Sequence, residues 1–184
     1  FNTYNFFALY ANIDKFLNED HKIQEKEKTE SDMWILSKLN STILNVDKHL
    51  NNFDPTKAIR LIQNFLINDL SNWYVRLNRK RFWKGEFNKD KMAAYQTLYE
   101  CLKKLSIISS PFAPFYCERI YLDLHPNHDN AEGISVHLSD FPRPNIKLID
   151  EDLEEKMLYA QQISSLVHSL RKKEKIKVRQ PLYK

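Results

Sequence analysis

Apolar positions recur every three or four residues along most of the chain, a period that predicts one helix after another. Tyr4, Phe7, Ala8 and Ala11 place a first helix over about residues 2–17. Residues 18–30 are almost wholly charged or polar and read as an exposed loop. Ser31 or Asp32 can cap a second helix, with Met33, Leu36, Leu39, Ile43, Val46 and Leu50 as its inward stripe. Asp54 caps a third, and Pro55 sits at its first position, where a missing N–H costs nothing. Its stripe is Ile59, Ile62, Leu66, Leu70, Trp73 and Leu77, and it runs to about Trp83. A fourth starts at Asn88 or Asp90, turns Ala94, Leu98, Leu102, Leu105 and Ile108 inward, and stops at Ser109-Ser110-Pro111. A fifth, beginning near Pro111 and Pro114, which cannot sit in a helix interior, carries Phe115, Ile120 and Leu124. Residues 125–149 are irregular, with Ile134 to Leu138 alternating like a short extended piece. Asp150 caps a sixth helix whose face is Leu153, Met157, Ala160, Ile163, Val167 and Leu170. The tail from Ile176 to Pro181 alternates apolar with basic and predicts an extended strand in want of a partner. Six helices with short to moderate connections and almost no β predict an all-α fold, an antiparallel helical bundle.

Composition narrows the function. With 184 residues the chain can bury a real core. Gly85 and Gly133 are the only glycines. Walker, Rossmann and kinase loops all need clustered glycines so that backbone can approach phosphate, and none can be built here. Cys101 and Cys117 lie inside apolar helical patterns with no CxxC spacing, so they read as reduced core thiols of a reducing compartment. No stretch approaches the ~18 apolar residues of a membrane span. The opening Phe1-Asn2-Thr3, with neither Met nor signal peptide, reads as a piece of a longer protein. The net charge of +4 is uneven. Residues 171–184 hold seven cations against the single acid Glu174, so the basic charge is local.

The candidate chemistry is concentrated between Asp69 and Trp83. At about 100° per residue, Asn72, Arg76, Arg79 and Trp83 fall in one narrow stripe beside the apolar face. A planar amide, two guanidiniums and an indole suit unstacked RNA bases: aromatic faces for stacking, forked donors for base edges and phosphates. The plainer reading makes Trp73 a core residue, Trp83 a helix-end plug, and the cations a complement to the helix dipole. Asp69 is a candidate partner for one of the arginines. The cations from Arg171 to Arg179 could meet phosphates or simply be solvated. His125-Pro126-Asn127-His128 has HxxH spacing, but a proline inside a loop and no nearby third ligand make it a surface loop. No residues specify an active site or a metal site.

Read in order, the segments form a set: Asn2-Thr3-Tyr4-Asn5-Phe6-Phe7; Asp32-Met33-Trp34-Ile35-Leu36-Ser37-Lys38; Asp69 to Trp83; Ala93-Ala94-Tyr95-Gln96-Thr97-Leu98-Tyr99; Ser110-Pro111-Phe112-Ala113-Pro114-Phe115; Ser135-Val136-His137-Leu138; and Lys175-Ile176-Lys177-Val178-Arg179-Gln180-Pro181-Leu182. This set resembles the anticodon-binding region of isoleucyl-tRNA synthetases, class I enzymes, over nearly the whole chain. The resemblance implies a cytoplasmic parent that joins isoleucine to its tRNA using ATP and Mg²⁺. It also implies a fragment with no cofactor of its own, monomeric, that grips the anticodon stem-loop. The family's His-x-Gly-His and Lys-Met-Ser-Lys-Ser signatures are absent from the chain, so catalysis and editing would lie elsewhere. The bundle is expected over 1–149, with 150–184 a C-terminal helix and the start of a junction to further modules. The implied tRNA contacts are Asn72, Arg76 and Arg79 for bases or phosphates, Trp83 for stacking, and Lys38, Lys80, Arg81 and Arg179 for phosphates. Trp34 and Trp73 are expected mainly to pack. Where the family usually has Arg after Trp-Ile-Leu-Ser this chain has Lys38, which gives up the bidentate fork. The rival reading is a structural bundle whose basic edge docks another domain.

Overall fold

The computed structural model describes residues 2–18, 23–125 and 133–182. Its helices are α1 (Asn2–Ile13), α2 (Glu30–Asn51), α3 (residues 55–83), α4 (Lys89–Ser109), α5 (Pro114–Asp123) and α6 (Glu151–Lys173), with no strand among the described residues. The all-α expectation holds. The chain divides into two units, Phe1–Ile149 and Asp150–Lys184.

Glycine scarcity shows at the helix ends. Lys15, Phe53 and Lys175 take the left-handed conformation (φ +52°, +54° and +55°) that glycine usually supplies. In each case the next N–H reaches back five residues: Phe16 to Ala11, Asp54 to His49, Ile176 to Arg171. That closure ends α1 at Ile13, earlier than the predicted 17, and folds Phe16 back to stack on Tyr95 at 5.0 Å. Gly85 (φ +81°) turns the chain between α3 and α4.

The N-cap of α2 is Thr29, ahead of the Ser31 or Asp32 expected from the sequence. Thr29 Oγ1 accepts from the Asp32 N–H, and Asp32 Oδ2 accepts from the Thr29 N–H at 2.9 Å, a capping box. Asp32 is therefore the third residue of the first turn and points inward. Leu36, Leu39, Ile43 and Val46 are buried as predicted, whereas Met33 is exposed and Trp34 and Ile35 take its place.

α3 changes period in mid-course. Pro55–Asn64 is α-helical, Phe65–Val75 is a π-helix, and Arg76–Trp83 returns to α. A π-turn takes about one more residue than an α-turn. The buried positions accordingly open to a spacing of five: Phe65, Leu70 and Val75, and beside them Asp69 and Tyr74. A 3.6-residue period places Leu77 in the core; the wider turn rotates it out to 58% exposure and brings in Asn78 and Phe82.

α4 is buried as predicted along Ala94, Leu98, Leu102, Leu105 and Ile108. Its start sits in an aromatic cluster, with Tyr95 against Phe82 at 5.2 Å and Lys91 Nζ paired with Asp14 at 2.6 Å. On α5, Ile120 is inward, but Phe115 is 91% exposed on the first turn. Cys117 and Tyr121 form the inner face instead.

The alternation at 134–138 makes no strand; Val136–Leu138 is a 3₁₀ turn. The Glu118 carboxylate takes the Val136 N–H (2.8 Å) and Ser135 hydroxyl (3.0 Å), so no sheet edge is left to pair. Asn40 Oδ1, buried on α2, accepts from Asn145 N–H at 2.8 Å, fastening the rest of the irregular segment to the bundle. His125 Nδ1 donates to the Tyr121 carbonyl at 2.6 Å; Pro126, Asn127 and His128 of the HxxH segment lie outside the described residues. Cys101 and Cys117 are free and buried, and burial pushes both thiols up, Cys117 to about 11.

The second unit corrects two expectations. α6 is capped by Asp150 (Leu153 N–H to Oδ1, 2.9 Å), yet it has no fully buried residue, and Ile163, Val167 and Leu170 are exposed. The tail is not a strand: Arg171 Nη1 donates to the carbonyls of Lys177 (2.8 Å) and Gln180 (3.0 Å) and curls it back on the helix end.

Five phenols titrate upward among the described residues, Tyr4, Tyr74, Tyr95, Tyr116 and Tyr159, and the first three are the ones buried against carboxylates of other elements. Burial, then the carboxylates of Asp123, Asp32 and Asp14, raises Tyr4 to about 12 and Tyr74 and Tyr95 further. A raised folded value favours the protonated fold, so this contribution is full below about pH 10 and is lost as pH rises through the folded values. Phenolate absorbance and loss of helical circular dichroism should therefore rise together in strong base. Phenols that ionise with helix content intact would contradict this.

Candidate nucleic-acid interface

The exposed face of the last α-helical stretch of α3 is made by Arg76, Leu77, Arg79, Lys80 and Trp83. These residues share one side because the helix has regained its three-to-four spacing after the π-turns. The side chains of Arg76 and Lys80 make no hydrogen bond or ion pair among the described residues. The Arg79 guanidinium lies 6.0 Å above the Phe6 ring of α1, and Phe6 meets Phe82 edge-on at 5.2 Å. Aromatic packing thus sets the height of Arg79 while its fork stays exposed. Trp83 is 53% exposed and presents part of its indole at the helix end. Asn72 is exposed about one turn earlier, on the π-helical piece.

Arg81 departs from its expected role as a phosphate contact. Its side chain is only 13% exposed and turned inward. Nη1 and Nη2 grip the two oxygens of Asp32, which is fully buried, at 2.8 and 2.9 Å. Nε and Nη2 reach Asp90 at 3.1 and 2.8 Å, and Nη1 also reaches Asn78 Oδ1 at 3.0 Å. Tyr74 OH donates to Asp32 Oδ1 at 2.6 Å. Burial pushes the Asp32 carboxyl up, but the hydrogen bonds from Arg81 and Tyr74 and the charge of Arg81 outweigh it and hold Asp32 below its usual range. Burial likewise opposes charge on Arg81, and Asp32 and Asp90 reverse it. The pair stays ionised. Asp69, the acid expected near the arginines, is buried in the π segment.

The other predicted residues lie on separate elements. Lys38 is half-buried on α2, and Arg179 is exposed in the second unit. Trp34 is buried and Trp73 half-buried, as packing residues should be. Leu77 and Phe6 join the surface without a signal in the helical period, because Leu77 sits on the predicted stripe and Phe6 beside one. No group of three His, Cys, Asp or Glu among the described residues could hold a metal. What remains is a basic and aromatic edge, able to stack and to donate in forks.

Similarity to known proteins places the chain in a family. The sequence profile of the family described as anticodon-binding domain of tRNA ligase matches residues 32–184. The chain belongs to that family. The span of this anticodon-binding domain that matches begins at Asp32, the acid that holds Arg81. Its relatives are isoleucine–tRNA ligases. That of Cytophaga hutchinsonii is 56% identical over 98% of this chain, and that of Bacteroides thetaiotaomicron 50% over 99%. A third, from Dehalococcoides mccartyi, is 49% identical over 98%. The chain spans only 16%, 16% and 18% of the length of these relatives. No helix among the described residues is long and apolar enough to cross a membrane.

Proposed function

We propose that this domain grips the anticodon stem and loop of isoleucine tRNA for a cytoplasmic isoleucine–tRNA ligase. The observation that supports it most is the end of α3, where Arg76, Leu77, Arg79, Lys80 and Trp83 are all exposed in a chain whose relatives are isoleucine–tRNA ligases. Arg76 and Arg79 contact bases or phosphates, with the Asn72 amide beside them. Trp83 offers a stacking face. Lys80 and Lys38 neutralise phosphates, and Arg179 contributes from the second unit, which begins the junction to further modules. Activation of isoleucine with ATP and Mg²⁺ belongs to parts of the ligase outside these residues.

The test is a titration with two isoleucine tRNA transcripts, one with its native anticodon and one with the anticodon replaced, at low and moderate salt. Preference for the native anticodon would mean the domain reads bases. Equal, salt-sensitive binding would mean it grips phosphates alone. No binding to either would overturn the reading in favour of a docking surface. Trp83→Ala should cost about 1–3 kcal/mol of affinity, the usual worth of one base–aromatic stack. It should leave the salt slope unchanged, because no charge is removed. A slope that changed would place Trp83 in the packing of the helix end.

A further inference from the structure

We propose that Tyr74 and Arg81 are positioning residues for RNA: they lock the azimuth at which the last stretch of α3 presents Arg76, Arg79 and Trp83. The inference rests on the RNA-binding reading above. Its starting point is the return from π to α geometry between Val75 and Arg76. A helix that changes period can resume in more than one register, and each step of one residue rotates every later side chain by about 100°. Hydrophobic packing makes part of the choice through Phe82, fully buried against Phe6 and Tyr95, but not all of it. Leu77 is outside and Asn78 inside, the reverse of what burial of apolar surface would select.

Polar contacts complete the choice. Tyr74 on the last π-turn donates to Asp32 Oδ1 at 2.6 Å. Asn78, one turn on, donates through Nδ2 to the Tyr74 carbonyl at 2.9 Å and accepts from Ser31 Oγ at 3.1 Å. Arg81 then closes on both oxygens of the same Asp32 and on Asp90 of α4. Asp32 cannot drift, because its Oδ2 is also held by Thr29 N–H and Oγ1 at 2.9 and 2.8 Å in the cap of α2. Two side chains of α3, Tyr74 and Arg81, are therefore held by one buried carboxylate, and Asn78 between them bonds to the Tyr74 carbonyl and to Arg81. In the next register Arg81 would leave Asp32 with a buried, unpaired charge, so that register is closed. The fork is essential: a lysine would supply one ammonium where Arg81 meets two carboxylates side-on.

The experiment compares the protein with its Arg81→Lys and Tyr74→Phe variants. Isoleucine tRNA binding is measured across salt, and amide hydrogen exchange over residues 76–83 and 98–108. Arg81→Lys keeps the charge, and Tyr74 is fully buried, so neither change removes a phosphate contact. Both should weaken binding about tenfold, as expected when the competent azimuth falls to about a tenth of the population. The salt slope should stay the same, and exchange should rise over 76–83 while 98–108 stays protected. Wild-type affinity for Tyr74→Phe would overturn the proposal, whatever Arg81→Lys does. So would faster exchange spread evenly over both stretches, which would mark general loosening. If the unaltered protein binds no tRNA, the RNA reading fails, and exchange over 76–83 decides the lock by itself: no rise there would overturn it.

Discussion

Asp32→Ala should destabilise the fold by about 3–5 kcal/mol, the cost of removing one partner from a buried ion pair. The loss is large because Arg81 cannot escape. Its side chain is 13% exposed, and without Asp32 its one remaining charged partner among the described residues would be Asp90, itself half in solvent, beside the neutral oxygens of Asn78 and Thr29. Two further groups would be orphaned, the Tyr74 hydroxyl and the Thr29 N–H of the capping box. The surface pairs of the same chain, Lys57 with Asp54 and Lys89 with Glu27, are screened by solvent, contribute little and set the contrast. The same carboxylate gives an acid limit. Its folded value is depressed, so its contribution is present above about pH 4, the unfolded value, and is lost as pH falls through the folded value. Chemical denaturation of wild type and variant at neutral pH measures the difference directly. A loss under about 1 kcal/mol would mean that Arg81 finds a new partner or water, and that the pair behaves like one on the surface.

How far the sequence could anticipate this depends on distance along the chain. Caps and breakers are local chemistry, so Asp54-Pro55, Asn88 and Asp150 placed three helix starts within a residue or so. Periodicity located α4 almost residue for residue. It failed in α3, because a 3.6-residue template cannot register a π-segment, although Phe65, Leu70 and Val75 do stand five apart. The Asp32–Arg81 bridge links positions 49 residues apart, and no local pattern marks it. Arg81 accordingly looked like its neighbours Arg79 and Lys80 in a run of cations. Only tertiary packing separates the one that faces inward from those that face out. The alternating stretches at 134–138 and 176–181 failed for a related reason. A strand needs a partner edge, and here Glu118 and Arg171 take the backbone groups first.

Replacing both Arg76 and Arg79 by alanine should abolish most of the affinity for isoleucine tRNA while leaving the fold nearly intact. Each arginine that reads a base edge is worth about 1–3 kcal/mol, and two such losses add if the residues act independently, to about 2–6 kcal/mol. Stability should change little at Arg76, which is exposed and makes no ion pair among the described residues. At Arg79 the loss of the contact over Phe6, 6.0 Å from the ring centroid, should cost on the order of 0.5–1 kcal/mol. The salt dependence separates two kinds of contact. If both arginines meet phosphates of the unpaired loop, the log–log slope should fall by about 1.4, at about 0.7 per single-strand contact. If both read bases, affinity should drop at constant slope, and the preference for the native anticodon should vanish with it. Lysine at both positions sharpens the distinction, since an ammonium keeps the charge and loses the fork. Phosphate contacts would survive that change, and base reading would not. Unchanged affinity in the double alanine variant would move the RNA-binding surface away from the end of α3 altogether.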